Sequence, residues 1–346
     1  MLQLLDEKHQ NSDVVYRLTA LWALSESGIG GFMFALKIPL TGLLLGAISI
    51  ILLSMIAFYS ERKFSEILRA TLLVVILKLL VSPHSSPTAY LAVAFQGVAA
   101  AIIFSSIKSL KLAAVLLGAI TMFESAAQKL LLLTIVFGKE LWEAVNIFFN
   151  QISKELSLNL DLDYSYWLIG IYLSLFTVWG IIVGVFAASL PAKIEERKHS
   201  ILPAYYLQLS KSEKVPPQSS NRRASRIWMF ISLIIFVLIF LAFTYYFPSK
   251  AWWLLGRTLV IIFLFYFVIA PTMRWLANKW LKNRRGEDIM VAKQMMDLLP
   301  QLKKDVAISY NISAKHPSFF ARAKAFMTNT IIITLYARNA EQHNNI

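Results

Sequence analysis

Long apolar stretches run through this chain, separated by short polar connections. Eight lie near Tyr16–Lys37, Leu40–Tyr59, Phe64–Ser82, Thr88–Ser106, Leu112–Phe137, Tyr166–Leu190, Arg226–Phe247 and Trp252–Met273. A helix rises 1.5 Å per residue, so roughly 20 residues cross a hydrocarbon core, and most of these stretches reach or approach that length. Their connections alternate in charge. Arg62 and Lys63 follow the second stretch, Lys108 and Lys111 the fourth, Lys193, Arg197 and Lys198 the sixth, and Lys279, Lys282, Arg284 and Arg285 the eighth. Between them, Pro83–Pro87 has no Lys or Arg and Lys139–Asp163 is net acidic. Positive charge stays inside, so every even-numbered exit and both termini are expected in the cytoplasm. The pattern predicts an all-α polytopic membrane protein.

Composition agrees. The chain is 57% hydrophobic and 16% charged, with mean hydropathy +0.59, more apolar surface than a soluble globule hides. The net charge of +14 collects in the basic connections and the tail, where it orients the chain and attracts anionic lipid, which argues against nucleic acid as a partner. Cysteine is absent, which excludes disulfides, thiol catalysis and thiolate metal sites. The first fifteen residues lack the pattern of a removable signal, so the first span is expected to act as its own targeting signal.

The chain divides near residue 200. Residues 1–195 form a six-span bundle, 196–225 a polar cytoplasmic linker rich in Lys, Ser and Pro, 226–273 a two-span extension, and 274–346 a basic amphipathic tail. Within Leu141–Leu158 the residues Trp142, Val145, Phe148, Phe149, Ile152 and Leu156 recur at helical spacing, as an interfacial helix requires. In the tail, Ile289, Ala292, Met295, Met296 and Leu299 make one stripe, and Phe319, Phe320, Ala323, Phe326 and Met327 another. These read as helices on the membrane surface or as docking elements for a cytoplasmic partner.

Charges within a bilayer are costly, so each is a functional candidate. Glu26, Gln96, Glu124 and Gln128 fall near the midplane, and Lys78 and Lys129 in the outer third. Glu124 and Gln128 share a face of span five, whereas Lys129 lies about 140° from Glu124 around the helix. Three readings follow: Glu26–Lys129 or Glu124–Lys78 ties the bundle together as an interhelical ion pair, the same groups line a pocket for a polar ligand, or they form a proton or ion path. The connection Ser82-Pro-His-Ser-Ser-Pro-Thr-Ala-Tyr90 offers His84 and several hydroxyls. No second His accompanies it, which argues against a metal site. Nucleotide-binding loops and the GxSxG and HExxH motifs are absent, so neither ATP hydrolysis by this chain nor enzymatic chemistry is expected, and no cofactor is called for. In the first span Thr19, Ala23, Ser27, Gly31 and Ala35 make a small-residue groove at four-residue spacing, for packing within the bundle or against a separate membrane subunit.

Six spans with cytoplasmic ends, this small-residue face, the Lys37-Ile-Pro-Leu-Thr-Gly-Leu43 turn, and Ser82–Ala92 leading into Phe95-Gln-Gly97 resemble the S component of the energy-coupling factor (ECF) vitamin transporters. The resemblance covers roughly residues 15–195. It implies a bacterial inner-membrane subunit that captures a micronutrient from outside, with no cofactor of its own and with energy from separate ATPase subunits. By position it implies substrate contacts from His84, Gln96, Glu124, Gln128 and Lys129, with Lys78 and Glu26 beside them. It also implies docking of a T component on the first span, where Ala23, Ser27 and Gly31 stand in place of the family's alanines. The tail resembles the coupling region of a T component through Ala321-Arg322-Ala323 and Ala337-Arg338-Asn339, whose arginines would enter grooves of an ATPase pair. The rival expectation is a non-transporting membrane scaffold whose basic tail recruits a cytoplasmic partner or anionic lipid.

Overall fold

The computed structural model describes residues 2–30, 41–82, 85, 87–155, 163–212, 272 and 287–344. Helices account for nearly all of them, and no strand occurs among the described residues. In chain order they are α1 (Leu2–Leu24), running on as a π-helical turn (Ser25–Ile29), α2 (Thr41–Tyr59), α3 (Lys63–Val81), α4 (Pro87–Ser106) and α5 (Leu110–Phe137). Next come α6 (Glu140–Glu155), α7 (Tyr164–Ser212), α8 (Glu287–Ser313) and α9 (Phe319–Asn344). The expected spans at 226–247 and 252–273 lie outside the described residues, Thr272 apart. Contacts divide the chain into two units, Met1–Leu209 with Lys279–Ile346, and Ser210–Asn278. The description below concerns the first.

Local chemistry sets the helix ends. The Ser109 hydroxyl accepts from the Leu112 N–H at 3.4 Å and opens α5, which stops where Gly138 turns left-handed at φ 75°. Pro87 begins α4, where its missing N–H costs nothing. The α3–α4 turn is closed by Tyr90, whose hydroxyl donates to the Ser82 carbonyl at 2.8 Å.

Among the described residues four helices, α2, α4, α5 and α7, are long and apolar enough to cross a membrane. Six spans were expected in this half, of which the first, Tyr16–Lys37, runs partly outside the described residues. The described part of α1 starts polar, and α3 carries Lys63, Glu66, Arg69 and Lys78. Burial supports the membrane reading. The buried face of α5 holds Ala113, Ala114, Gly118, Thr121 and Ala126, while Leu112, Leu116, Ile120, Phe123 and Leu131 are exposed. On α7 the residues Ile171, Leu175, Val178, Ile182 and Val185 are likewise exposed. A water-soluble bundle has the opposite arrangement; lipid-facing helices put small residues inward and large apolar ones outward.

The small residues allow close approach. A Cβ on Gly118 would lie 2.1 Å from the Gly180 carbonyl oxygen, and one on Gly180 2.1 Å from that of Gly118. Gly184 meets the Ala114 carbonyl in the same way, at 2.4 Å. Gly180-Ile-Ile-Val-Gly184 is thus the ridge on which α5 and α7 meet backbone to backbone.

Two elements extend beyond their sequence-based limits. Helix α1 begins at Leu2, well before Tyr16, and α7 continues past Leu190 to Ser212, through Pro191 and Pro203 and the first part of the segment read as linker. Helix α6 covers residues 141–155 of the segment read as an interfacial helix, the rest of which lies outside the described residues, and Ile147 and Phe148 on it are exposed.

The tail helices are not peripheral. Met295, Leu299 and Leu302 of α8 and Ile331, Ile332 and Leu335 of α9 join the same core as Leu18 and Trp22 of α1. On α9 the stretch from Thr328 to Leu335 is buried on every side, while Phe319, Phe320 and Ala323 of the expected stripe are exposed. Polar groups register the tail. The Tyr205 hydroxyl donates to Asp305 at 2.8 Å, Asn329 donates to the Ser313 hydroxyl at 3.0 Å, and Arg17 donates to the Leu335 carbonyl at 3.1 Å.

Candidate functional site

A cavity of about 400 Å³ opens between α1, α2, α4 and α5, next to the α3–α4 turn. That volume lies within the ~300–1,000 Å³ common to small-molecule sites. Glu26, Lys78, Gln96, Gln128 and Lys129 line it, together with the hydroxyl residues Thr41, Ser85, Thr88 and Ser125. Ala92, Val93, Leu45 and Leu132 supply apolar wall.

Glu26 enters from the π-helical turn, whose wider backbone interrupts α1 at this depth. Such turns recur at functional positions. One carboxylate oxygen accepts from the Lys78 ammonium at 2.7 Å, and both side chains are about 96% buried. The other accepts from the Ser49 hydroxyl at 2.8 Å, and Ser49 accepts from the Trp22 indole N–H at 2.9 Å. Lys78 also reaches the Ala89 carbonyl at 3.5 Å and lies 5.9 Å from the centre of the Tyr90 ring. The relay Trp22–Ser49–Glu26–Lys78 therefore joins α1, α2 and α3 across the cavity wall. This ion pair differs from both pairings considered from sequence, Glu26–Lys129 and Glu124–Lys78.

Gln96 projects from α4 and is 4% exposed, yet its amide oxygen has no hydrogen-bond partner among the described residues. Such a group is costly to leave unmet, because burial removes its water without replacement. Gln128, on α5, donates to the Thr88 carbonyl at 3.3 Å and ties α5 to the start of α4. Lys129 is exposed and lines the cavity without an ion-pair partner among the described residues.

The remaining sequence candidates fall elsewhere. Glu124 is not part of the lining, although one of its carboxyl oxygens is buried without a partner among the described residues. His84 and Gly31 lie outside the described residues. Ala23 and Ser27 are buried within the unit, Ala23 in the core shared with α2 and α3. Arg322 is exposed and donates to the Pro317 carbonyl at 3.1 Å, whereas the side chain of Arg338 is not among the described ones. No group of three metal-ligating side chains comes together among the described residues.

Ser49, Trp22, Gly46 and Ser125 were not singled out in the sequence. A serine at the centre of the apolar Thr41–Tyr59 run was the available signal, since an isolated hydroxyl there needs a partner. Gly46 sits where a Cβ would lie 2.8 Å from the Met122 methyl and 3.9 Å from the Gln96 amide nitrogen, so its lack of a side chain leaves room at this wall.

Comparison with protein-family models, with curated proteins and with solved structures finds no match.

Proposed function

We propose that this chain is the substrate-capturing membrane subunit of an uptake system for a small polar molecule, similar in role to an ECF S component. The observation that carries the reading is the polar cavity within an otherwise apolar bundle. It is large enough for a metabolite and is lined by a buried amide and by a lysine that has no ion-pair partner among the described residues. No step requires covalent chemistry. The pocket selects the ligand, and movement of the bundle shifts it between two accessibilities when a partner binds one of them better. The chain has no nucleotide-binding loop, so energy from ATP would come from separate subunits. The exposed Arg322 suits contact with them.

The test is extraction of small molecules from the purified full chain, compared with an Ala92→Phe variant that fills the cavity. A compound retained by the wild type and lost from the equally folded variant supports the reading. Identical extracts refute it. Those would favour a membrane scaffold, a reading that draws on the self-contained Glu26–Lys78 pair and on the exposed Phe319, Phe320 and Arg322.

A further inference from the structure

We infer that the α8–α9 hairpin is a clamp on α1 that closes the cavity towards the tail, and that its release opens that side. The inference rests on the uptake reading above and names the element that moves between the two accessibilities. Every residue of α1 and its π-helical turn from Leu18 to Ser27 is at most 6% exposed, so this stretch has no free face. Helices α2, α3, α8 and α9 all pack against α1. They take different faces of it. Trp22 and Glu26 meet α2 and α3 through Ser49 and Lys78. Arg17 lies roughly opposite Glu26 around the helix and donates to the Leu335 carbonyl of α9 at 3.1 Å. Beside it, Tyr16 donates to the Val291 carbonyl of α8 at 3.5 Å. The tail therefore grips, from the far face, the helix that carries the carboxylate of the cavity. Leu18, Trp22, Leu53, Ile56 and Val74, on the tail side of Glu26 and Lys78, are fully buried, so no open path leads from the cavity to the tail while α1 is held.

The hairpin is built to move as one piece. Within it the hydroxyls of Ser309 and Thr330 share a hydrogen bond at 2.8 Å, Asn329 donates to the Ser313 hydroxyl at 3.0 Å, and Ser309 donates to the Phe326 carbonyl at 3.2 Å. None of these bonds involves the bundle, so all survive release. Towards the bundle the hairpin offers mainly apolar side chains, with Met295, Leu299, Ile331 and Ile332 in the core of α1. Few directional ties hold it there besides those to Tyr16 and Arg17: Tyr205 donates to Asp305 at 2.8 Å, and Tyr206 to the Ala337 carbonyl. Release exposes the apolar side chains to water, so the docked state prevails until a partner covers them.

The chain has no cysteine, so one introduced thiol is a unique label. Ile56→Cys places it on the same side of α2 as Ser49, about 10 Å nearer the tail. The full chain in phospholipid nanodiscs is treated with a membrane-impermeant methanethiosulfonate, and the labelling rate is followed by mass spectrometry. With the hairpin docked the thiol should react slowly. Arg17→Leu with Tyr205→Phe removes two ties of the hairpin and should raise the rate about 10- to 100-fold. Tyr206→Phe loses only the bond to the Ala337 carbonyl; it serves if that pair of changes prevents folding, with a rise of about 2- to 10-fold. Gly180→Ala strains the α5–α7 contact instead and should leave the rate nearly unchanged. An unchanged rate in the loosened variants overturns the inference, and so does an equal rise in Gly180→Ala, which marks general loosening of the bundle. The measurement needs no ligand, so its failure leaves the extraction assay with Ala92→Phe standing, and identical extracts in that assay leave the clamp standing.

Discussion

Replacing Lys78 with methionine removes one partner of the Glu26–Lys78 pair while keeping most of the side-chain volume. At 2.7 Å and an effective dielectric constant near 20, the lost attraction is about 6 kcal/mol. Desolvation of the two ions offsets most of that in the intact protein, so the pair itself adds little net stability. The single variant behaves differently, because it strands the Glu26 carboxylate in a site only 4% exposed with Ser49 as its remaining partner. The expected loss is about 3–5 kcal/mol. Changing both residues, Glu26→Gln with Lys78→Met, leaves a neutral amide that still accepts from Ser49, and should cost less than either single change. Reversible unfolding of the four proteins in mixed micelles closes the cycle and isolates the coupling. A coupling of about 2 kcal/mol or more is expected. A value under about 0.5 kcal/mol, or a double variant as unstable as the sum of the singles, would refute the buried-pair argument.

Gly180→Ala should cost about 1–3 kcal/mol in the same assay because its Cβ meets the Gly118 carbonyl, whereas Gly170→Ala, with open space around it, should be neutral or stabilise slightly. Tyr205→Phe leaves the buried Asp305 without that donor and should lower stability by about 1–3 kcal/mol, with faster proteolysis of the tail as a second readout; an unchanged digestion pattern would count against the tail's docking through this contact. Changing Arg322 and Arg338 together to alanine should remove any co-purifying ATPase while leaving membrane insertion intact, and undiminished recovery would sink their coupling role.

Much of the architecture was legible in the linear pattern because membrane burial depends on composition alone. A run such as Thr41–Tyr59 declares itself a helix and a candidate span without reference to its neighbours. Helix α6 was legible for a related reason, since its apolar spacing is a property of one element. Several of the candidate residues could be named because a polar group inside an apolar run stands out, and five of them line the same cavity.

Which of those groups meet was decided only in three dimensions. The pairing of Glu26 with Lys78 depends on the π-helical turn at Ser25–Ile29 and on how α1 lies against α3, neither of which leaves a local signature. The burial of Ala23 and Ser27 is equally non-local: a small-residue groove looks the same whether its own chain or another fills it. The tail shows the same limit, because the short apolar run Ile331–Leu335 does not by itself say which elements cover it, and only the packing of α1 and α8 does. Sequence alone determined an all-helical chain suited to a membrane, because transfer free energy adds residue by residue. Tertiary structure decided which polar groups are satisfied and which, like the Gln96 oxygen, have no partner among the described residues, because hydrogen bonds and ion pairs need a partner at a particular distance.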